Sequence, residues 1–355
     1  MPVLIVTAPD VAMHDPLYEI NLGRHVTPVW ESPQRHAVLH AAMVDAGFDT
    51  TPATSHGEGI WRDVHDPELV DWLRDGYAAW RAAGGPEVLI PDAFAHRALH
   101  GRRPPSPIGA AGWWLMDTAT PIVAGSWQAA TAAVDAALTA VDLVVDGGHT
   151  VVHALTRPPG HHAGRAYLGG FCLVNHAAIA ATALRRQVGR VTVLDIDHHH
   201  GNGTQELFLT DGQIQYVSLH ADPVSAYPWF AGFADEVGDG PGRGATLNLP
   251  LPMGTDDDSY IATLQRAADA IDAHDPAVIV LSLGTDTADR DPVGGLGLST
   301  DAYARIGAAV AALGRPVVSV HEGGYDLARI GGDSVNVLRG LSRLTNTPGS
   351  QDVRG

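Results

Sequence analysis

The sequence predicts an α/β fold with a mostly parallel β-sheet covered by helices on both faces. From Trp127 onward, short runs of valine, isoleucine and leucine alternate with segments whose apolar residues recur at helical spacing. Continuous apolar runs are typical of strands buried on both faces, as in parallel sheets. No linker, repeat or low-complexity stretch divides the sequence. We therefore expect a single domain over residues 1–345 and a tail over 346–355.

The individual elements follow from apolar periodicity and from the positions of glycine and proline. The predicted strands are residues 3–7, 143–145, 151–154, 191–196, 214–219, 277–283 and 316–320. The predicted helices are residues 34–46, 67–83, the first part of 127–145, 174–186, 260–273 and 301–313. Ligands of such sheets bind beyond the carboxyl ends of the strands. Polar residues directly after predicted strands are therefore the candidates for function.

Two segments lack regular periodicity. Residues 14–35 contain three prolines that break any long element, and residues 84–112 contain five prolines and a basic cluster of Arg97, Arg102 and Arg103. A loop as long as 84–112 inside a compact domain is usually functional or mobile. The cluster either contacts a partner subunit or substrate carboxylate, or belongs to a solvated loop.

Composition excludes several classes of protein. The chain of 355 residues carries 22 Lys and Arg against 40 Asp and Glu, a formal net charge of -18, which argues against nucleic acid or an anionic membrane as partner. A single cysteine, Cys172, excludes an internal disulfide and a cysteine-rich zinc site. The first ten residues lack a charged signal-peptide region, and Asp135 and Asp142 interrupt the apolar stretch 127–145. We expect a cytoplasmic protein without a membrane span.

The most informative stretch is VTVLDIDHHHGNG at residues 191–203. An apolar run leads into Asp195, Asp197 and three consecutive histidines, His198 to His200. Alternation along a strand puts Asp195, Asp197 and His199 on one face. A carboxylate and an imidazole two residues apart form half of a divalent-metal site, with Zn²⁺ the first candidate. The alternative is a polar strand end with hydrogen-bonded histidines.

Three more polar motifs follow predicted strands. Asp286 follows 277–283 and is a candidate third ligand, His161 and His162 follow 151–154, and Tyr325 follows 316–320 after two glycines. Three protein ligands leave a coordination position open, which is typical of catalytic zinc. Such a set suits amide hydrolysis: zinc polarises the carbonyl and acidifies water, a neutral histidine moves the proton, and a tyrosine stabilises the oxyanion.

These motifs together resemble those of the histone deacetylase superfamily. The segments are RPPGHHAG, GGFCLVNHAAIAA, VLDIDHHHGNGTQELF, VSLHADP, LSLGTDT and EGGYD. Within that superfamily the chain is most similar to bacterial acetylpolyamine amidohydrolases, from residues 31–35 through to 335–340. The resemblance implies an arginase/deacetylase-like fold with long active-site loops, and a zinc-dependent deacetylase domain over residues 1–345 with an inserted loop at about 84–112.

The resemblance also implies a role for each matching residue. The implied zinc ligands, with Fe²⁺ as a possible substitute, are Asp197, His199 and Asp286. The implied reacting groups are His162 as general base and acid, His161 as its electrostatic companion, and Tyr325 as the oxyanion donor. The implied supports are Asp195 for His161 and Asn202 for His162.

Further implied positions surround this set. Phe171 and Tyr227 match the aromatic walls of a tunnel for a slender substrate, and Arg35 matches the arginine of the acetate-exit region. A structural K⁺ ion is implied, with candidate ligands Asp195, Asp197, His199, Ser218 and Leu219. By contrast, we expect His198 and His200 to be structural, Cys172 to be a buried small residue, and His321 and Glu322 to support the Gly-Gly turn.

The substrate is the point at which the sequence departs from the family. Polyamine-selective members carry glutamates on the inserted loop, whereas this chain has Ile108 and Ala119 there. Glu87, Asp92 and Asp117 are the acidic residues nearby, and Glu19 is another candidate negative charge.

Three functions are compatible with the sequence. The first is a deacetylase of small acetylated amines, with polyamines foremost, and the second is a deacylase of acetyl-lysine proteins or another acyl amide by the same mechanism. The third is a non-catalytic binder of acyl ligands. The resemblance also predicts a homodimer formed through the 84–112 loop.

Overall fold

A computed structural model describes residues 3–96 and 101–345 and confirms the predicted fold class. An eight-stranded, entirely parallel sheet runs through the middle of the molecule. Its strands are β1 (Leu4–Thr7), β4 (Asp49–Pro52), β5 (Val151–Ala154), β6 (Val191–Asp195), β7 (Ile214–Ala221), β8 (Thr246–Leu251), β9 (Val278–Leu283) and β10 (Val317–His321). Their order across the sheet is β4-β1-β5-β10-β9-β6-β7-β8. The short strands β2 (Glu19–Asn21) and β3 (Arg24–Val26) form a separate antiparallel hairpin.

Helices cover both faces of the sheet. They are α1 (Pro33–Asp45), α2 (Trp61–Val64), α3 (Pro67–Ala82), α4 (Pro107–Trp114), α5 (Ser126–Val145), α6 (His176–Val188), α7 (Asn202–Phe208), α8 (Asp257–His274), α9 (Thr300–Ala312) and α10 (Ile330–Thr345). Alternate residues of β9 enter opposite apolar cores: Val278 and Val280 pack with α5 and α6, whereas Ile279 and Leu281 pack with α8, α9 and α10. This two-residue alternation between two cores explains why the central strands are uniformly apolar.

One predicted strand is wrong. Residues 143–145 are the last turn of α5, which continues without interruption to Val145. No glycine or proline separates the alanine-rich segment from these residues, whereas Gly147 and Gly148 follow after Asp146. A short apolar run does not by itself distinguish a strand from the end of a buried helix.

Several elements were not predicted from the sequence. Both outer strands of the sheet contain proline, at Pro52 in β4 and Pro250 in β8, and proline is confined to such edge positions because it cannot donate to the ladder. Helix α10 begins with Ile-Gly-Gly, a weak helix start, and is stabilised by packing on α9 and α1. The irregular segment 14–35 contains the β2–β3 hairpin.

Helix α5 is long and apolar enough to cross a membrane by length and composition, but 67% of its apolar window is buried inside the fold, as in a core helix. In the inserted loop 84–112, residues 107–112 begin α4, and the guanidinium of Arg103 lies 2.8 Å from Glu68 and over the ring of Trp114. Arg97 of the basic cluster lies outside the described residues, as does the predicted tail 346–355.

The sheet order explains how the predicted motifs come together. Strands β5, β10, β9 and β6 are consecutive neighbours. They lead, respectively, into the loops of His161 and His162, of Tyr325, of Asp286, and of Asp197 and His199. Because parallel strands end at the same edge of a sheet, four segments far apart in the chain meet in one place.

Candidate metal centre and active site

Asp197, His199 and Asp286 form a candidate metal site, with one ligand atom from each within 4.8 Å of the others. The Nδ1 atom of His199 lies 3.3 Å from an oxygen of Asp197 and 3.1 Å from an oxygen of Asp286. Strand β6 ends at Asp195, so Asp197 and His199 belong to the following loop and not to a continuing strand face. Backbone N–H groups of the loop fix both carboxylates, since His198 donates to Asp286 and His199 donates to Asp197.

The surroundings of these three side chains fit a divalent cation. Burial and the adjacent Asp197 carboxylate raise the pKa of Asp286 to about 7. Two buried carboxylates this close are costly unless positive charge lies between them, and their donor set of oxygen and imidazole nitrogen suits Zn²⁺ or Fe²⁺. The carboxylates are also packed against Gly284 and Gly323, where a Cβ atom would overlap them.

The surroundings of His161 stabilise its positively charged form. Its Nδ1 lies 3.0 Å from Asp195, which also accepts a hydrogen bond from the Tyr216 hydroxyl, and its Nε2 lies 3.7 Å from Asp197. Burial alone lowers the pKa of His161, but the Asp197 and Asp195 carboxylates outweigh it and raise this pKa to about 10. The imidazolium form is therefore the stable one near neutral pH.

The surroundings of His162 favour its neutral form. Its Nδ1 lies 2.7 Å from the amide oxygen of Asn202, so Nδ1 carries the hydrogen and Nε2 is the free acceptor. Burial, followed by the charges of His161 and His199, lowers the pKa of His162 well below its usual value. The two adjacent imidazole rings, 4.0 Å apart between centroids, thus differ in protonation, which is the arrangement that separates an acid from a base.

Tyr325 is fixed from both its ring and its backbone. The Arg35 guanidinium lies over its ring at 4.6 Å, and Arg35 also donates to the backbone oxygens of Gly324 and Glu322 at 2.7 and 2.6 Å. Burial raises the pKa of Tyr325 well above its usual value. The phenol therefore stays protonated and can donate a hydrogen bond to an oxyanion.

A cavity leads to this centre. Phe171 and Tyr227 line it, with the Phe171 ring 5.4 Å from that of Tyr325 and the Tyr227 ring 4.9 Å from that of His162. Leu22, Trp229 and Met253 form a rim of apolar side chains that are 78%, 41% and 48% exposed. No carboxylate lines the cavity among the residues of ranges 3–96 and 101–345.

The acidic residues considered for a distal ammonium do not line the cavity. Glu19 is fully buried in β2, where burial and the nearby Glu31 raise its pKa to about 7. Glu87 and Asp92 are exposed on the inserted loop. The carboxylate of Asp117 accepts hydrogen bonds from the protein itself, including one from the Tyr227 hydroxyl. Of the two substitution positions, Ala119 lines the cavity.

The remaining histidines and Cys172 have identifiable surroundings. His200 bonds to the Gln205 side chain, away from the metal candidates, whereas His198 lines the cavity beside His199. Cys172 is buried, and burial raises the pKa of its thiol well above the usual value, so it is not a nucleophile. Glu322 accepts from the backbone N–H groups of Gly160 and His161 and from Ser282, so it supports the histidine loop and not the Gly-Gly turn.

Sequence reasoning missed three supporting residues. Asp117 contacts the cavity wall, Asp291 holds the backbone of Tyr325, and Arg157 shares Glu31 with Arg35 in a buried ion triad. Arg157 is the first residue of the RPPGHHAG motif and Asp291 follows Asp286 by five residues, so proximity to these motifs is the only signal that the sequence offers for either residue. Their contacts are long-range and could not be read from the sequence.

The candidate potassium ligands lie at the end of β6, in the loop that follows it, and within the neighbouring strand β7. Asp195 of β6 is in register with Ser218 of β7, and Leu219 follows Ser218. The Ser218 hydroxyl lies 2.7 Å from Nδ1 of His220. Carboxylate, hydroxyl and backbone carbonyl oxygens are suitable ligands for K⁺.

Comparison with known proteins identifies the class. The model of the histone deacetylase domain matches residues 29–341, and the chain belongs to this metal-dependent family. Acetylpolyamine amidohydrolase 2 of Pseudomonas aeruginosa is 38% identical over 341 residues, covering 95% of this chain and 98% of that protein. Acetylpolyamine amidohydrolase of Mycoplana ramosa is 37% identical over 322 residues, covering 90% and 94%. The crystal structure of acetylpolyamine aminohydrolase from Burkholderia pseudomallei superposes with a TM-score of 0.92 at 35% identity, covering 96% and 99%.

Proposed function

We propose that this protein is a zinc-dependent amidohydrolase that deacetylates small acetylated amines, acetylpolyamines foremost. The observation that carries the proposal is the pair of histidines beside the Asp197, His199 and Asp286 cluster, one bonded to the carboxylate of Asp195 and the other to the amide oxygen of Asn202. A carboxylate-paired imidazole can stabilise negative charge and an amide-paired imidazole can accept a proton, and both tasks suit metal-assisted amide hydrolysis. The names of the relatives from Pseudomonas aeruginosa and Mycoplana ramosa support acetylpolyamines as the substrate class.

The side chains of the site have complementary tasks in this reaction. Asp197, His199 and Asp286 would hold a zinc ion, which when bound would supply Lewis-acid polarisation of the acetyl carbonyl and lower the pKa of water. His162, held by Asn202, accepts the proton from the attacking water at Nε2 and delivers it to the departing amine.

Two further residues stabilise charge during the same reaction. His161 keeps its positive charge through Asp195 and stabilises the negative charge that develops nearby. Tyr325 donates its hydroxyl hydrogen to the oxyanion.

Several further assignments belong to the same proposal. Phe171 and Tyr227 enclose the substrate chain, and Arg35 lies where acetate leaves. A K⁺ ion bound by Asp195, Ser218 and the carbonyls of Asp197, His199 and Leu219 stabilises the end of β6. Fe²⁺ is an alternative to zinc.

We also propose a cytoplasmic homodimer that forms through the 84–112 loop. Sedimentation of the wild type and of a loop-shortened variant tests this assembly, and an unchanged dimer would exclude the loop.

A second candidate function is favoured by the cavity wall. Because the rim is apolar and no carboxylate lines the described cavity, acetyl-lysine or an uncharged acyl amide would be accepted by the same reacting groups. The long inserted loop disfavours flat protein surfaces as substrates. A non-catalytic acyl binder is disfavoured because His162, Tyr325 and the whole ligand set are present.

The test is a kinetic comparison with zinc-loaded protein. The substrates are N-acetylputrescine, acetylspermidine, an acetyl-lysine peptide and an uncharged acetamide of similar length. A preference for acetylpolyamines of about tenfold, or about 1.4 kcal/mol in transition-state binding, would support the proposal. Equal or better turnover of the peptide or the uncharged amide would support the second candidate. A zinc-loaded protein that releases no acetate from any of them would overturn both.

A further inference from the structure

Asp117 connects two segments of the cavity wall through one carboxylate oxygen. The Tyr227 hydroxyl donates to Oδ2 of Asp117 at 2.8 Å, and the backbone N–H of Gly170 donates to the same oxygen at 2.7 Å. Tyr227 and Gly170 both line the cavity but belong to separate loops. A half-buried carboxylate that accepts from both loops fixes their separation.

The second oxygen of Asp117 extends this connection to Phe171. Oδ1 accepts from the backbone N–H of Ala119 at 3.0 Å and from the Thr120 hydroxyl at 3.1 Å. The hydroxyl oxygen of Thr120 in turn accepts from the backbone N–H of Phe171 at 3.0 Å. Asp117 therefore holds the hydroxyl of Tyr227 directly and the backbone of Phe171 through Thr120.

The backbone at Gly170 and Phe171 needs the support of these hydrogen bonds. Gly170 and Phe171 have φ values of 54° and 69°, and Phe171 is one of few residues other than glycine in the left-handed region among those the structure describes. This conformation is costly for a residue with a side chain and persists where neighbouring contacts enforce it. A Cβ atom at Gly170 would overlap the His162 ring, so the turn packs closely against the catalytic histidine and only glycine fits there.

We propose that Asp117 is a positioning residue that sets the width of the substrate tunnel between Phe171 and Tyr227 and thereby selects unbranched amines. The inference rests on the proposed deacetylase function, because it concerns the specificity of that site. Tyr227 packs against His162 and Phe171 packs against Tyr325, so the same contacts align the substrate with the reacting groups.

Direct binding of a substrate ammonium by Asp117 is the competing interpretation. A carboxylate offers about four lone-pair directions. In Asp117 four donors from Tyr227, Gly170, Ala119 and Thr120 occupy them. An ammonium would have to displace one of these bonds, which makes a structural role of the charge the better explanation.

The test compares two uncharged isomers, so that attraction of a cation cannot contribute. N-hexylacetamide and the isomer branched at the carbon next to nitrogen are assayed with wild type, Asp117→Asn and Tyr227→Phe. The wild type should prefer the linear isomer at least about tenfold in kcat/KM, and Asp117→Asn should reduce this preference to below about threefold, chiefly by raising KM for the linear isomer. Tyr227→Phe loses one of the bonds and should give an intermediate preference.

Asp92→Asn is the matched control, since it removes an exposed carboxylate of the inserted loop and should keep the wild-type preference. Zinc content is measured for every variant. A second readout is the affinity of zinc-loaded protein for a linear and a branched alkyl hydroxamate, measured by calorimetry. If Asp117→Asn does not fold, Tyr227→Phe carries the test through both readouts.

The outcomes separate this inference from the proposed function. A wild type that releases no acetate from either amide or from N-acetylputrescine but prefers the linear hydroxamate, with the preference lost in the variants, would overturn the function and support the tunnel role. A wild type without a linear preference in either readout would overturn the inference. Variants that lose kcat for both isomers equally and keep the wild-type preference would also overturn the inference, because that result is expected of a merely structural defect.

Discussion

The carboxylate of Asp291 accepts a hydrogen bond from the backbone N–H of Tyr325 at 2.6 Å and joins two loops of the active site. Its other oxygen accepts from the N–H groups of Val293 and Gly294, in the loop that follows Asp286. The loop of the candidate metal ligand and the loop of the candidate oxyanion donor are thus held together by one side chain. Tyr325 depends on this contact because two glycines precede it and leave its backbone free to rotate.

We expect Asp291→Asn to lower kcat by about tenfold to a hundredfold, since small misplacements of a reacting group are costly. Zinc content should remain near wild type, because the metal ligands do not change. Asp289→Asn, which removes a carboxylate paired with Arg329 from the same loop, is the control and should keep kcat. Loss of zinc in proportion to activity would show that Asp291 acts on the metal site instead.

Replacement of the oxyanion donor should have a larger effect. Tyr325→Phe removes the hydroxyl and keeps the ring between Phe171 and Arg35. We expect kcat to fall by about 10² to 10³, the usual cost of losing one oxyanion donor. Steady-state kinetics on the best acetylated amine measures this change. A kcat within threefold or so of wild type would remove Tyr325 from the proposed mechanism.

Asn202, the uncharged hydrogen-bond partner of His162, should set the pH dependence of kcat/KM. An Asn202→Asp substitution places a negative charge at Nδ1 of His162 and stabilises the imidazolium, so the pKa of His162 rises. A general base works only when unprotonated, so the acidic limb of the kcat/KM profile should move to higher pH, by about one unit or more. Asn336→Asp adds the same charge on α10 and should leave the profile unchanged. A shift to lower pH, or none, would contradict the assignment of His162 as base.

Metal content tests the ligand assignment independently of activity. Wild-type protein should bind one equivalent of zinc, and His199→Ala should lose most of it, because the cluster has only three protein ligands among the described residues. His198→Ala is the matched control, since it removes the neighbouring imidazole and should retain zinc. Chelation should abolish activity, and one equivalent of zinc should restore it. Full zinc binding by His199→Ala, measured by elemental analysis, would rule out this ligand set.

The buried triad of Arg35, Glu31 and Arg157 should contribute strongly to stability. Glu31 lies 2.7 Å from Arg35 and 2.9 Å from Arg157, and all three side chains are almost fully buried. Glu31→Gln leaves two buried guanidinium groups without a counter-charge, and we expect the free energy of unfolding to fall by about 3–5 kcal/mol. Glu58→Gln breaks partly exposed pairs with Arg62 and Arg74 and should cost less than about 1 kcal/mol. Urea denaturation of both variants distinguishes the two costs.

Local patterns in the sequence were sufficient for the fold class and for most central strands. The apolar runs of β6, β9 and β10 are buried on both faces, so burial imposes a composition that a short window reveals. Edge strands β4 and β8 were not predicted, because each has a neighbouring strand on one side only. At such an edge the apolar composition is less strict and proline is tolerated. The end of α5 was misassigned because a few apolar residues have no distinctive period.

By itself the sequence determined the chemistry available at the site, since residues such as Asp197, His162 and Tyr325 follow predicted strands whose ends meet at one edge. Only the tertiary structure decided how these groups are oriented and protonated. The contacts of Asp291 with Tyr325 and of Asp117 with Tyr227 join residues 34 and 110 positions apart, and the opposite protonation of His161 and His162 depends on which side chain each one meets. Hydrogen bonds and charge interactions depend on distances in space, and spacing along the chain does not contain those distances.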